Sequence, residues 1–153
     1  MKDASAVLFL ENQLCFPLYA ASRLTTKVYA PYLDEMGLTY PQYLVLLVLW
    51  QHGSCSMKQI GEQLFLESNT LTPLVKRLEQ KDVIRRDRSE KDERTVIVSL
   101  TSQGEALKEE AKVIPQKIIE SFKDPSITEE ELLTLQKTLF RLVELLGEKT
   151  SGD

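Results

Sequence analysis

The 153-residue chain is poor in cysteine and histidine, holding only Cys15, Cys55 and His52. Two thiols and one imidazole cannot fill a four-ligand zinc site within one chain. Two cysteines do not make a disulfide scaffold either. Long apolar runs are also lacking. The longest, residues 44–50, is far too short to span a bilayer. The N-terminus shows no basic stretch followed by an apolar segment and a small-residue cleavage site, so no secretion signal is expected. Both thiols are therefore expected to be reduced, in a cytoplasmic protein with no membrane partner. The chain has no low-complexity linker and no internal repeat, and its length suits one domain over residues 1–153 with a real core.

The net charge of -4 argues against a polyanion partner, but its distribution reverses that. Residues 76–94 carry eight Lys/Arg against six Asp/Glu, while the rest of the chain carries 11 against 17. A locally basic segment on an acidic body can dock on nucleic acid.

The hydrophobic pattern is mostly helical. Residues 8–36 read as one long helix or a broken pair, with Pro17 and Pro31 as kink points and Gly37 as the stop. Thr39-Tyr40-Pro41 opens a helix to His52 that is apolar on most sides and therefore central. Ser56 and Gln59 form a capping-box pattern for a helix over 57–64. After a turn at 65–67, Ser68 is expected to cap a helix over 69–81. Its Leu71, Leu74, Val75 and Leu78 recur at helical spacing as one buried stripe. The period then changes. Residues 83–88 and 94–100 read as two strands joined by a charged connection, a β-hairpin. A helix over 101–122, kinked at Pro115, ends at Asp124-Pro125. A second capping box, Thr128 with Glu131, opens a last helix to Leu146, with Gly147 as its stop.

Two short helices, a tight turn and a basic hairpin make a winged helix-turn-helix, so the expected fold class is mainly α with a small β-hairpin wing. A helix with one apolar stripe can lay its polar face in the DNA major groove, where base pairs show distinct donor and acceptor patterns. The candidate DNA contacts on that helix are Ser68, Asn69, Thr70, Thr72, Pro73, Lys76 and Arg77. On the hairpin, Arg94 is the best candidate for the narrow minor groove, with Arg86, Arg88 and Lys91 nearby. A charged surface helix and a solvated hairpin would be the plain alternative, and the ordered series of elements argues against it. The last helix carries apolar residues at 132, 133, 135, 139, 140, 142, 143, 145 and 146, a stripe too wide for an exposed monomer helix.

Asp92-Glu93-Arg94, followed by Thr95-Val96-Ile97-Val98-Ser99-Leu100-Thr101 and Gly104, resembles the D-x-R…V-x-L-T…G signature of MarR-family transcription regulators. The resemblance covers almost the whole chain. It implies that Asp92 holds the wing arginine, that Arg94 enters the minor groove, and that the N- and C-terminal helices interlock in a homodimer reading a near-palindromic double-stranded operator. The expected division is dimerisation helices at about 8–38 and 102–148, and a DNA-binding lobe at about 39–101. Asp82 stands where the family commonly carries glycine; aspartate can take the left-handed turn.

Cys15 on an apolar helical face reads first as packing. The five tyrosines all lie between residues 19 and 43, and a phenol beside a thiol can stabilise a thiolate. Leu10-Glu11-Asn12-Gln13-Leu14-Cys15-Phe16, Tyr29 and Thr39-Tyr40-Pro41-Gln42-Tyr43-Leu44 resemble the organic hydroperoxide resistance regulator branch of the MarR family. So do Gly61-Glu62-Gln63-Leu64, Leu71-Thr72-Pro73 and Lys76-Arg77. That resemblance implies a peroxide-sensing Cys15 bonded by Tyr29 and Tyr40 of the partner subunit, and a repressor released by organic hydroperoxide. No cysteine follows Cys55, so the chain is of the one-cysteine type, with a small thiol as mixed-disulfide partner. No cofactor or metal is expected. Two other readings stay open: a MarR-type regulator triggered by a small aromatic or anionic ligand with Cys15 structural, and, less favoured, a thiol peroxidase, for which a resolving thiol is missing.

Overall fold

The computed structural model describes residues 4–151. The chain order is α1 (Cys15–Glu35), α2 (Tyr40–His52), β1 (Cys55–Ser56), α3 (Met57–Leu64), α4 (Ser68–Gln80), β2 (Ile84–Arg88), β3 (Val96–Leu100), α5 (Ser102–Ala111), α6 (Ile114–Ser121) and α7 (Glu129–Thr150). Two short 3-10 turns, Ala4–Leu8 and Leu10–Asn12, precede α1. The result is a mainly α winged helix-turn-helix, as expected.

Helix α2 is the centre of the core. Val45, Leu46 and Leu49 are buried, and Ile60 of α3, Leu71, Val75 and Leu78 of α4, Val98 of β3 and Ile114 of α6 are buried with them. Leu74, expected on the same stripe, is only half-buried. The expected capping box at Ser56 closes, Ser56 Oγ accepting from Gln59 N, and Thr39, which opens α2, forms one that was not expected, its Oγ1 accepting from Gln42 N; each glutamine carboxamide accepts the cap's own N–H. The third, Thr128 with Glu131, closes as well.

Several boundaries differ from the sequence reading. The first helix begins at Cys15, not at residue 8. Asn12 Nδ2 donates to the Ala6 carbonyl, and Gln13 Nε2 donates to the carbonyls of Val7 and Phe9. These side chains satisfy carbonyls that a helix would have used, and hold the segment in local turns. Pro17 then lies in the first turn of α1, where a missing N–H costs nothing. Ser68 is the first residue of α4 and not its cap; Glu67 stands at the cap without a side-chain bond. The expected helix over 101–122 is two helices, α5 and α6, because Pro115 occupies the first turn of α6 and cannot continue α5. Both strands start later than expected, β2 at Ile84 and β3 at Val96, the Thr95 N–H before β3 donating to the Asp92 carbonyl in the wing-tip turn. Helix α7 runs through Gly147 to Thr150. A Cβ on Gly147 would lie 3.0 Å from Phe65 Cε1, so this glycine permits close approach and does not end the helix.

The sheet holds one strand that sequence reasoning missed. Cys55–Ser56 pairs antiparallel with β3, Cys55 opposite Val98 and Ser56 opposite Ile97, giving the order β1-β3-β2. Asp82 takes φ 56°, the left-handed turn expected of it between α4 and β2.

Helix α7 has no buried residue, and Leu133, Leu135, Phe140, Val143, Leu145 and Leu146 are exposed. Leu8, Leu14, Tyr19 and Leu24 at the other terminus are exposed too. These apolar faces have no cover within one chain. Among the described residues no helix is long and apolar enough to cross a membrane.

Candidate DNA interface and thiol sensor

Helix α4 buries Leu71, Val75 and Leu78 and turns Ser68, Asn69, Thr70, Pro73, Lys76 and Arg77 outward. The Thr72 hydroxyl donates to the Ser68 carbonyl at 2.7 Å, which leaves its oxygen as an acceptor toward solvent. This is the polar face anticipated for the helix.

The wing is fastened to α4 by one residue pair. Arg86 Nε and Nη2 donate to the Glu79 carboxylate at 3.2 and 2.9 Å, and the Arg86 backbone N–H donates to it at 3.1 Å. This two-pronged pairing holds the Glu79 carboxyl below the usual carboxylate range. Arg86, a candidate DNA contact, thus spends its guanidinium inside the fold. The other basic residues point outward. Arg88 Nη1 donates to the Glu93 carbonyl at 2.8 Å across the wing tip, and Lys91 is exposed. Asp92 Oδ1 accepts the backbone N–H of Arg94 at 3.0 Å. The Arg94 guanidinium is exposed and, among the described residues, has neither an ion pair nor a hydrogen bond.

Cys15 is an exposed thiol at the first residue of α1. Tyr29 lies fourteen residues further along the same helix, about 21 Å away at 1.5 Å per residue. Within one chain the two cannot touch. Tyr29, Tyr40 and Tyr43 form a cluster of their own, with ring centroids 4.8, 5.9 and 6.3 Å apart. Burial pushes the Tyr29 phenol up to about 12, and its neighbours Tyr40 and Tyr43 add to the effect. Tyr40 and Tyr43 are raised by burial too. These hydroxyls therefore remain protonated donors at any physiological pH.

A groove of about 1240 Å³ runs between α3, α4 and the wing on one side and the end of α7 on the other. Met57, Phe65, Leu71, Arg86, Arg94 and Leu146 are among its lining residues.

Comparison with known proteins places this geometry. The model of the SarA/Rot transcriptional regulators matches residues 27–111. The organic hydroperoxide resistance transcriptional regulator of Bacillus subtilis is 52% identical over 140 residues, 92% of this chain and 93% of that protein. The chain belongs to the MarR family, in its organic hydroperoxide resistance regulator branch. Two solved structures of AbfR, a protein of Staphylococcus epidermidis, share the fold. Reduced AbfR bound to DNA is 38% identical with a TM-score of 0.74, covering 95% of this chain and 99% of that one. Disulfide-formed AbfR is 37% identical with a TM-score of 0.62, covering 93% and 95%.

Within this MarR-family regulator the two thiols have opposite surroundings. Cys55 is buried, its thiol donates to the Gly53 carbonyl at 3.5 Å, and burial pushes it up from its ordinary range. A thiol held protonated and covered is a poor nucleophile. A maleimide is expected to label one cysteine of the native protein, Cys15, and to reach Cys55 at least about tenfold more slowly unless the chain is unfolded. Equal rates for both would remove the distinction.

The tyrosine cluster gives a pH dependence. Tyr29 ionises near 10 in an unfolded chain and near 12 in the fold. Between those values the unfolded state has lost a proton that the native state keeps, so stability falls as pH rises through that window. Tyr29→Phe is expected to flatten that alkaline loss in denaturant titrations from pH 9.5 to about 12. An unchanged slope would mean that Tyr29 ionises as it does in the unfolded chain.

Proposed function

We propose that this regulator is a cytoplasmic homodimeric repressor that binds its operator when Cys15 is reduced and leaves it when organic hydroperoxide oxidises Cys15. The observation that carries the reading is the exposed thiol on α1, set beside apolar faces on α1 and α7 that have no cover within one chain. The 52% identical Bacillus subtilis protein, named for organic hydroperoxide resistance, and the DNA complex of reduced AbfR support it.

In this reading the α1 and α7 faces pack against a second copy, leaving residues 39–101 as the DNA-binding lobe. The family resemblance has Tyr29 and Tyr40 of the second copy meet Cys15, and the distance along α1, which keeps Tyr29 from Cys15 within one chain, agrees with that arrangement. Ser68, Asn69, Thr70, Thr72, Pro73, Lys76 and Arg77 face the major groove. Arg94 enters the minor groove from a turn shaped by Asp92, and Arg88 and Lys91 follow the backbone. Arg86 acts indirectly, by fixing the wing to α4.

The chemistry is stoichiometric. The thiolate attacks the terminal oxygen of the hydroperoxide, the O–O bond breaks, and the alkoxide leaves as the alcohol after taking up a proton. Sulfur, now a sulfenic acid, is oxidised and the peroxide is reduced. A small thiol can then condense with it, releasing water and leaving a mixed disulfide. The chain acts as a regulator and not as an enzyme.

The test is a mobility shift on the DNA upstream of the protein's own gene. Reduced protein is expected to retard it, and an organic hydroperoxide to release it. Full retention in excess hydroperoxide, with Cys15 shown to be oxidised, sinks the proposal. The groove between α3, α4, the wing and α7 supports a second reading, release by a small aromatic or anionic ligand with Cys15 structural; release by such a ligand alone would identify it.

A further inference from the structure

Lys81 stands where three elements meet. It is the C-terminal cap of α4, its backbone N–H donating to the Arg77 carbonyl at 3.2 Å. Its ammonium does not serve that helix. It crosses to the loop between α1 and α2 and donates to the Gly37 carbonyl oxygen, and to Gln42 Oε1 at 3.2 Å.

Gln42 is a polar side chain in the core, 2% exposed. Its Oε1 also accepts the Thr39 N–H at 3.0 Å, one half of the α2 capping box. A carboxamide oxygen has two lone pairs, and both are occupied here. The residue after Thr39 is Tyr40, whose ring packs against that of Tyr29 at a tilt of 51°. At the other end, Glu79, two residues before Lys81, grips Arg86 of the wing. One side chain therefore joins the loop that carries the tyrosine pair to the end of α4, and the Glu79–Arg86 pair continues the link to the wing.

We propose that Lys81 is a positioning residue that carries the state of the Tyr29–Tyr40 pair to α4 and the wing. The proposal rests on the reading of Cys15 as trigger. Apolar packing between α2 and α4 is non-directional and tolerates small slides. A charge-assisted hydrogen bond to a fixed carbonyl is short and directional, so a displaced Thr39–Tyr40 backbone pulls on α4 through it. Loss of the ammonium leaves the Gln42–Thr39 bonds in place, so the capping box survives and the fold with it.

The test compares wild type, Lys81→Met, Lys81→Gln and Lys81→Arg for operator affinity before and after organic hydroperoxide. Both neutral variants are expected to bind when reduced within about threefold of wild type, while the ratio of oxidised to reduced Kd falls about tenfold. Lys81→Arg, which keeps charge and donors, is expected to restore most of the ratio. An unchanged ratio in both neutral variants, with Cys15 oxidised as in wild type, overturns the proposal.

Coupling is reciprocal, so operator binding should also raise amide-exchange protection over residues 39–43 in wild type, and not in Lys81→Met. Equal protection in the two overturns the role of Lys81. This second measurement needs no peroxide. A wild type that peroxide fails to release condemns the trigger reading alone, and the exchange result still decides Lys81.

Discussion

Cys15→Ser is expected to bind operator as tightly as reduced wild type and to stay bound in organic hydroperoxide. The serine hydroxyl is close in size to the thiol and sits on an exposed first-turn position, so the fold has no reason to change. It cannot form a thiolate, so the peroxide has no nucleophile to meet. In the dimer proposed above, oxidation of wild type places a polar or bulky group against a packed helix of the second copy. Overpacking and an unsatisfied polar group each cost about 1–3 kcal/mol. A bias of that size is worth about 5- to 150-fold in an affinity coupled to it, which is enough to move the spacing of two recognition helices off their half-sites. The measurement is operator affinity by fluorescence anisotropy, with and without hydroperoxide, for both proteins. Release of Cys15→Ser at the wild-type dose would place the sensor elsewhere, and the buried Cys55 would be the next thiol to test.

Gly104→Ala is expected to cost about 3 kcal/mol of stability or more, lowering Tm by about 10 °C for a domain of this size. A Cβ on Gly104 would stand 2.1 Å from the Val83 carbonyl oxygen. That oxygen cannot retreat freely, because it accepts the Thr101 N–H at 3.1 Å. Gly104 is held on its own side as well: its N–H donates to Thr101 Oγ1 at 3.2 Å and its carbonyl accepts the Trp50 indole N–H at 3.0 Å. The contact closes the base of the wing onto α5, so relief of the clash must move β2, α5 or both. Urea denaturation checks this, and a stability within about 0.5 kcal/mol of wild type would mean that the base of the wing is soft. Loss of DNA affinity in proportion to the loss of folded protein is the expected companion result.

Much of this regulator was legible as local pattern. The three capping boxes are contacts over three residues, so Thr39, Ser56 and Thr128 announced their helices correctly. The outward face of α4 followed from the spacing of Leu71, Val75 and Leu78, and the left-handed turn at Asp82 followed from the family resemblance, which puts a glycine at that position. What was missed depends on partners far along the chain. Strand β1 is two residues long and exists because Val98 and Ile97 lie beside it. Arg86 looked like any other wing arginine until Glu79 was found opposite it. Gly147 looked like a helix stop until Phe65 was found against it.

The same division holds for function. The family, the reading helix, the wing and the candidate thiol were determined by the sequence itself, because each is a short motif whose chemistry lies in neighbouring residues. Which cations face outward and which are spent inside the fold was decided only by tertiary structure. So were the packing of Tyr29 against Tyr40 and Tyr43 and the link from Gln42 through Lys81 to α4. Long side chains choose among partners by distance, and distance across a fold is set by packing.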